Sequence, residues 1–156
     1  MNQQLLHQAW YVLLLRVALS SCLVVAERIR QQTWDKAIAG DSMMLSGSRS
    51  CFTVEAADEE TARRVNEFDI NPTAPLCGRG EPMVSAEAAE IEVATLDDWQ
   101  GWIKGLEKAG MDATRRAMRV GVPDLTWQWD GDDQLMLAFS LPPGSYATAV
   151  LRELGR

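Results

Sequence analysis

Histidine occurs once in this chain, at His7, and cysteine three times, at Cys22, Cys51 and Cys77. No two cysteines stand in a C-x-x-C pair, so the spacing supports neither a zinc site nor a disulfide framework. The thiols are expected to be reduced, and no metal is expected. Positive charge is also scarce: 15 Lys and Arg stand against 22 Asp and Glu, a net charge of −7. That balance excludes nucleic-acid binding through bulk electrostatics, and any such contact must come from local patches. Internal repeats and low-complexity tracts are missing too.

What is present is apolar material. Hydrophobic residues make up 47% of the 156, including six tryptophans. The chain can therefore bury a core of one domain, or of one small domain plus part of another. The tryptophans are expected to supply much of that core.

The apolar stretch from Trp10 to Ala26 has two readings. Leu19-Ser20-Ser21-Cys22 resembles a lipoprotein cleavage box, which would make it a signal or anchor. Against this, Met1–Gln8 holds no Lys or Arg and Arg16 interrupts the stretch, which favours a buried helix, no membrane contact and a cytoplasmic protein.

The periodicity predicts one long helix over Leu5–Gln32. Gly40-Asp41 is a turn signal, and a hairpin follows over Ser42–Leu45 and Ser50–Val54 around Ser46-Gly47-Ser48. Asp58 is expected to cap a short helix ending near Phe68. Asp69–Pro82, with three prolines and two glycines, reads as a loop. Ser85 is expected to cap a helix running to about Lys108, its apolar face including Ala88, Ile91, Trp99, Trp102 and Leu106, with Gly110 as its stop. Arg115–Val120, Leu125–Trp129 and Leu135–Leu141 are strand candidates, the last two joined by the turn Asp130–Asp133. Both faces of Leu135–Leu141 are rather apolar, as in a strand covered on both sides. A final helix to Leu154 carries Ala147, Val150, Leu151 and Leu154 on one face.

Chemistry concentrates at Phe139–Thr148, where a strand, a tight turn and a helix start follow one another. Gly144 permits close backbone approach, and a helix start offers free N–H groups to a phosphate. Ser145 and Thr148 add hydroxyls, and Tyr146 offers a face for stacking a base. An ordinary corner, with Ser145 as cap and Tyr146 in the core, accounts for the same residues. Arg115, Arg116 and Arg119 form either an RNA-facing patch or an internally paired set. Trp127 and Trp129 share one strand face, as core or as stacking platforms. Glu87, Glu90 and Glu92 read as solvated helix positions, and Arg63-Arg64 among glutamates as a salt-bridged surface.

Several segments together carry a family resemblance. Phe139-Ser140-Leu141-Pro142-Pro143-Gly144-Ser145-Tyr146-Ala147-Thr148, continuing to Leu154, resembles the closing motif F-x-L-P-x-G-[SG]-[YF]-A-T-x-x-L-R-E-L of the D-type tRNA pseudouridine synthases, the TruD family. Arg115–Arg119, Leu125–Trp129, Trp34–Phe52 and Pro75–Glu81 resemble further segments of it, so the similarity runs from about Ala26 to Leu154.

The resemblance implies an α+β fold. Residues 1–115 would be an inserted α/β domain with long helices and a hairpin. Residues 116–156 would be antiparallel strands and the C-terminal helix of an incomplete catalytic domain. It also implies isomerisation of a uridine in tRNA to pseudouridine, with neither metal nor organic cofactor, through covalent attack by an aspartate on an extracted nucleotide. Tyr146 would contact the target nucleotide, Gly144, Ser145 and Thr148 would shape its pocket, Arg115 and Arg119 would touch RNA, and Arg152 would lie near it or support it.

The departures are specific. The family nucleophile lies in a G-x-K-D type motif, which does not occur here, and Asp41 and Asp124 match other positions. A Y-F-G-x-Q-R-F-G type segment is also missing, and Leu13–Val25 matches the corresponding family helix poorly. The expectation is a C-terminal fragment of a tRNA pseudouridine synthase, inactive alone for want of the nucleophilic aspartate; the alternative is a non-catalytic module that binds RNA or a protein. Unpaired sheet edges would invite association.

Overall fold

The computed structural model describes residues 3–131 and 133–154, with side chains from Val17 onward. The fold is α+β. It divides into two compact units, Met1–Arg119 and Val120–Arg156. The division anticipated between residues 115 and 116 falls inside a strand of the first unit.

The first unit opens with helix α1 (Gln3–Arg30). The hairpin β1 (Ser42–Leu45) and β2 (Cys51–Thr53) follows, with Met43 opposite Phe52. Helix α2 (Glu59–Asn66) starts where the Asp58 carboxylate accepts a hydrogen bond from the Thr61 amide at 2.7 Å. Next come β3 (Ile70–Leu76), α3 (Ala86–Leu96), a 3-10 turn at Asp97–Trp99, α4 (Gln100–Lys108) and β4 (Thr114–Ala117). The sheet is antiparallel in the order β2-β1-β3-β4.

Strand β3 corrects the expected loop. Residues 70–75 are all buried, on both faces, so β3 is the covered central strand. Proline removes a ladder donor and is usually confined to strand edges. The geometry here accommodates two of them. β3 pairs with β1 only through Ile70–Pro72 and with β4 only through Thr73–Leu76. Pro72 lies just before the β4 register begins, and its carbonyl accepts from the Met118 amide at 2.8 Å. Pro75 lies beyond the end of β1, and its carbonyl accepts from the Ser20 hydroxyl of α1 at 3.1 Å. Each half of the strand uses a different neighbour, so neither proline interrupts a ladder that both would need.

The buried side chains described on α1 are mostly polar. Ser20, Ser21, Val24 and Arg28 recur at helical spacing and are all buried. Ser20 also accepts from the Cys77 amide at 3.2 Å. Arg28 and Asp41 form a bidentate ion pair at 2.8 and 2.9 Å, with side chains only 2% and 1% exposed. Arg28 further donates to the Thr33 and Lys36 carbonyls, and Asp41 accepts from the Ile38 amide. With its lone pairs and protons used, the buried pair escapes the penalty of an unsatisfied charge.

Gly40 sits beside this pair with φ of +78°, where a Cβ would lie 1.9 Å from the Ser85 carbonyl oxygen. The close approach lets the Ala39 carbonyl take the Ala88 amide and the Gly40 carbonyl take the Ser85 amide. This replaces the expected cap: Ser85 occupies the N-cap of α3, but its side chain makes no capping bond. The single helix expected up to Lys108 is likewise divided by the 3-10 turn.

Three small apolar clusters hold the unit. Val24, Ala74 and Leu96 form one; Ile38, Ala88 and Ile91 a second; Met43, Val65 and Ile70 a third. Tryptophan contributes less than expected. Trp34 and Trp102 are exposed, and Trp99 is half-buried, edge-to-face with Trp102 at 5.1 Å between ring centres.

The second unit is the hairpin β5 (Thr126–Asp130) and β6 (Gln134–Ala138), followed by α5 (Ala147–Leu154). None of its described residues is buried. Trp127 and Trp129, expected in a core, are 66% and 60% exposed. A two-stranded sheet has no second layer to cover them, so Leu135–Leu141 is not the doubly covered strand anticipated.

Candidate functional site

The corner between β6 and α5 is built by a tight turn. Pro143 and Gly144 occupy its centre, Gly144 has φ of +88°, and the Ser145 amide donates to the Pro142 carbonyl at 3.2 Å. Proline followed by a glycine with positive φ is the signature of a type II turn, and a side chain at position 144 would be strained. The turn delivers Tyr146 to the start of α5, where its carbonyl accepts from the Ala149 amide at 3.0 Å.

Tyr146 is 70% exposed, which excludes the reading of it as a core residue. It borders an open hollow with Thr148, Ala149 and Arg152. Arg152 lines the same hollow, one helical turn beyond Thr148. The first amides of a helix have no acceptor within it, so the same corner offers N–H groups, a hydroxyl, a cation and an aromatic face. Ser145 is half-buried in the turn and helps to form the corner.

The arginines are placed differently. Arg115 pairs with Glu92 of α3 and donates to the Thr73 hydroxyl at 2.6 Å and carbonyl at 2.9 Å, its side chain 4% exposed. Arg119 donates to Asn71 and to the Val65, Ile70 and Asp35 carbonyls, with its guanidinium 4.2 Å from the Phe68 ring centre. Burial pulls the Arg119 guanidinium below its ordinary pKa. Both cations are therefore held by partners inside the first unit, which is one of the alternatives the sequence left open. Glu92 was missed as a partner because it stands among solvated glutamates; its place beside the buried Ile91 was the only hint. Arg63 bonds Glu60 and Glu67 on the surface of α2, as expected.

Among the described residues no group of His, Cys, Asp and Glu could hold a metal ion. No helix among them is long and apolar enough to cross a membrane.

The family model described as tRNA pseudouridine synthase D (TruD) matches residues 21–154. The chain belongs to the TruD family. A TruD relative from Xanthomonas campestris, tRNA pseudouridine synthase D, is 47% identical over 134 residues, 85% of this chain and 36% of that protein. The protein of the same description from Methylococcus capsulatus is 40% identical over 131 residues, 84% of this chain and 37% of its own length. The crystal structure of a Methanosarcina mazei protein, described as a candidate TruD, superposes with a TM-score of 0.63 at 25% identity, over 86% of this chain and 35% of that one. The chain thus spans little more than a third of the TruD proteins it matches. The match begins at Ser21, inside α1, and takes in both compact units.

Proposed function

We propose that this chain is the C-terminal portion of a D-type tRNA pseudouridine synthase, supplying one wall of a nucleotide-binding site without the catalytic nucleophile. Residues 1–115 correspond to the inserted domain, and residues 116–156 to the end of the catalytic domain. The observation that carries this reading is the exposed Tyr146 at the turn–helix corner, inside the segment Phe139–Leu154. Tyr146 stacks on the target nucleotide, Gly144 and Ser145 set its position, and Thr148 and Arg152 contact the adjoining phosphate or sugar. Arg115 and Arg119 support the fold instead, since their donors are taken. No residue here stands in a G-x-K-D motif, so the isolated polypeptide isomerises nothing.

Two measurements test this. Purified chain incubated with unmodified tRNA leaves its uridines unchanged by mass spectrometry; appreciable pseudouridine would refute the assignment. Binding to tRNA at low salt is weak, falls as salt rises, and drops roughly 5- to 150-fold in Tyr146→Ala, the range for losing one stacked base. Equal affinity of that variant would remove Tyr146 from the site.

A further inference from the structure

The backbone amide that follows an aspartate can attack that residue's own side-chain carboxyl carbon. The attack needs an unrestrained carboxyl and a following residue too small to obstruct it. Of the aspartates and asparagines in the chain, three stand before a small residue: Asp41 before Ser42, Asp112 before Ala113 and Asp130 before Gly131. The structure separates the three. The Asp41 side chain is 1% exposed, and Arg28 holds both its oxygens. Asp112 pairs with Arg79, and the Ala113 amide donates to the Arg79 carbonyl at 2.8 Å. Asp130 is exposed at the end of β5, and its carboxylate has no partner among the described residues. Gly131 is exposed too, has φ of +74°, and leaves open space where a Cβ would stand. A glycine amide is the least obstructed, and an exposed turn tip leaves the backbone room to rearrange.

We infer that Asp130-Gly131 is a site of spontaneous covalent modification, where the chain isomerises its own backbone. The Gly131 nitrogen bonds to the Asp130 side-chain carboxyl carbon. The nitrogen gives up its proton and the carboxyl its hydroxyl, so one water leaves and a five-membered succinimide forms. Water then reopens the ring. Addition to the side-chain carbonyl restores aspartate. Addition to the backbone carbonyl breaks the original peptide bond and leaves the chain running through the side chain, as isoaspartate, with the former backbone carboxyl free. One water leaves and one returns, so mass is unchanged and no co-reactant is consumed. The consequence falls on the hairpin. Asp130 pairs with Gln134 in the last rung of the β5–β6 ladder, next to Trp129 opposite Leu135. Isoaspartate adds one carbon to the main chain at that rung, which shifts its register. A two-stranded sheet has no third strand to hold the pairing. The inference is independent of the functional reading above.

The test ages the full chain for several weeks at neutral pH and body temperature. It is then digested and mapped by liquid chromatography with electron-transfer fragmentation. A parallel sample is labelled by an isoaspartyl O-methyltransferase with radioactive S-adenosylmethionine. Isoaspartate accumulates in the peptide that contains Asp130-Gly131, at unchanged mass, and not at Asp41 or Asp112. Asp130→Glu loses the signal, because its ring would need a sixth member. Asp130→Asn passes through the same succinimide, with ammonia as the leaving group, and gains isoaspartate faster. In the isomerised fraction the amides of β5 and β6 exchange faster than in the parent, while those of β3 do not change. A peptide spanning Leu125–Leu137 isomerises alongside as the control. The inference is overturned if the aged chain carries no isoaspartate at Asp130, if Asp130→Glu keeps the methyl-accepting signal, or if Asp41 or Asp112 isomerises first.

Discussion

Arg28 and Asp41 form a buried ion pair inside the first unit. Their mutual bonds satisfy two charges that are both almost wholly buried. Removing one partner leaves the other desolvated, so Arg28→Ala or Asp41→Ala is expected to cost about 3–5 kcal/mol, read as the shift of a urea unfolding midpoint. The double variant Arg28→Met with Asp41→Leu should cost clearly less than the sum. Strict additivity would show that the two do not act as a pair. In the sequence Asp41 was legible only as half of a turn signal. Its partner lies 13 residues earlier, on a helix whose buried side includes two serines and an arginine. Apolar periodicity is blind to such a side, because what is buried there is satisfied polarity. Arg115 and Arg119 show the converse. Their charge was legible, but their direction depends on Glu92 and on carbonyls from distant elements.

Among the elements, α2 was read correctly because its signals are local: Asp58 before it and acidic residues in its first turn. The same local bonds make a pH prediction. The Thr61 hydrogen bonds hold the Asp58 carboxyl below its ordinary pKa, and Arg63 does the same for Glu60. At the end of α1, Arg30 and Gln31 bring Glu27 from 4.5 to about 2. A carboxyl whose folded pKa is depressed stabilises the fold fully above its unfolded pKa and loses that contribution as pH falls through the folded value. Helicity should therefore decline between about pH 4.5 and pH 2. Asp58→Ala should be less stable than the parent at neutral pH, and the gap should narrow as pH falls through the lowered Asp58 pKa; a gap independent of pH would rule out the cap. Strand β3 was misread for a physical reason. Its apolar alternation, Ile70, Pro72, Ala74, Leu76, was present, but two prolines argue against a central strand unless the ladder changes sides midway. That exchange depends on where β1 ends and β4 begins, which only the assembled sheet decides.

At the scale of the whole molecule, the two units differ in kind. The first has three buried clusters and a four-stranded sheet; the second has a hairpin, a helix and no buried residue among those described. Amide exchange should follow that difference, with Thr126–Ala138 and Ala147–Leu154 exchanging well before Ile70–Pro75. Equal protection would mean that the second unit has a core not evident here. The tryptophans explain why the sequence suggested otherwise. Trp127 and Trp129 alternate as buried strand residues do, but alternation reports a side of the strand and not what covers it. The Tyr146 corner was legible as strand, turn and helix start. The hollow shared with Arg152 was not, since it needs the turn to present both residues together.

Arg119 gives the first unit a direction in time. Its guanidinium joins the Asp35 carbonyl, 84 residues earlier, to those of Val65 and Ile70. During synthesis, Asp35, helix α2 and the start of β3 all leave the ribosome before the side chain that joins them. These bonds form only once Arg119, the last residue of the first unit, has emerged.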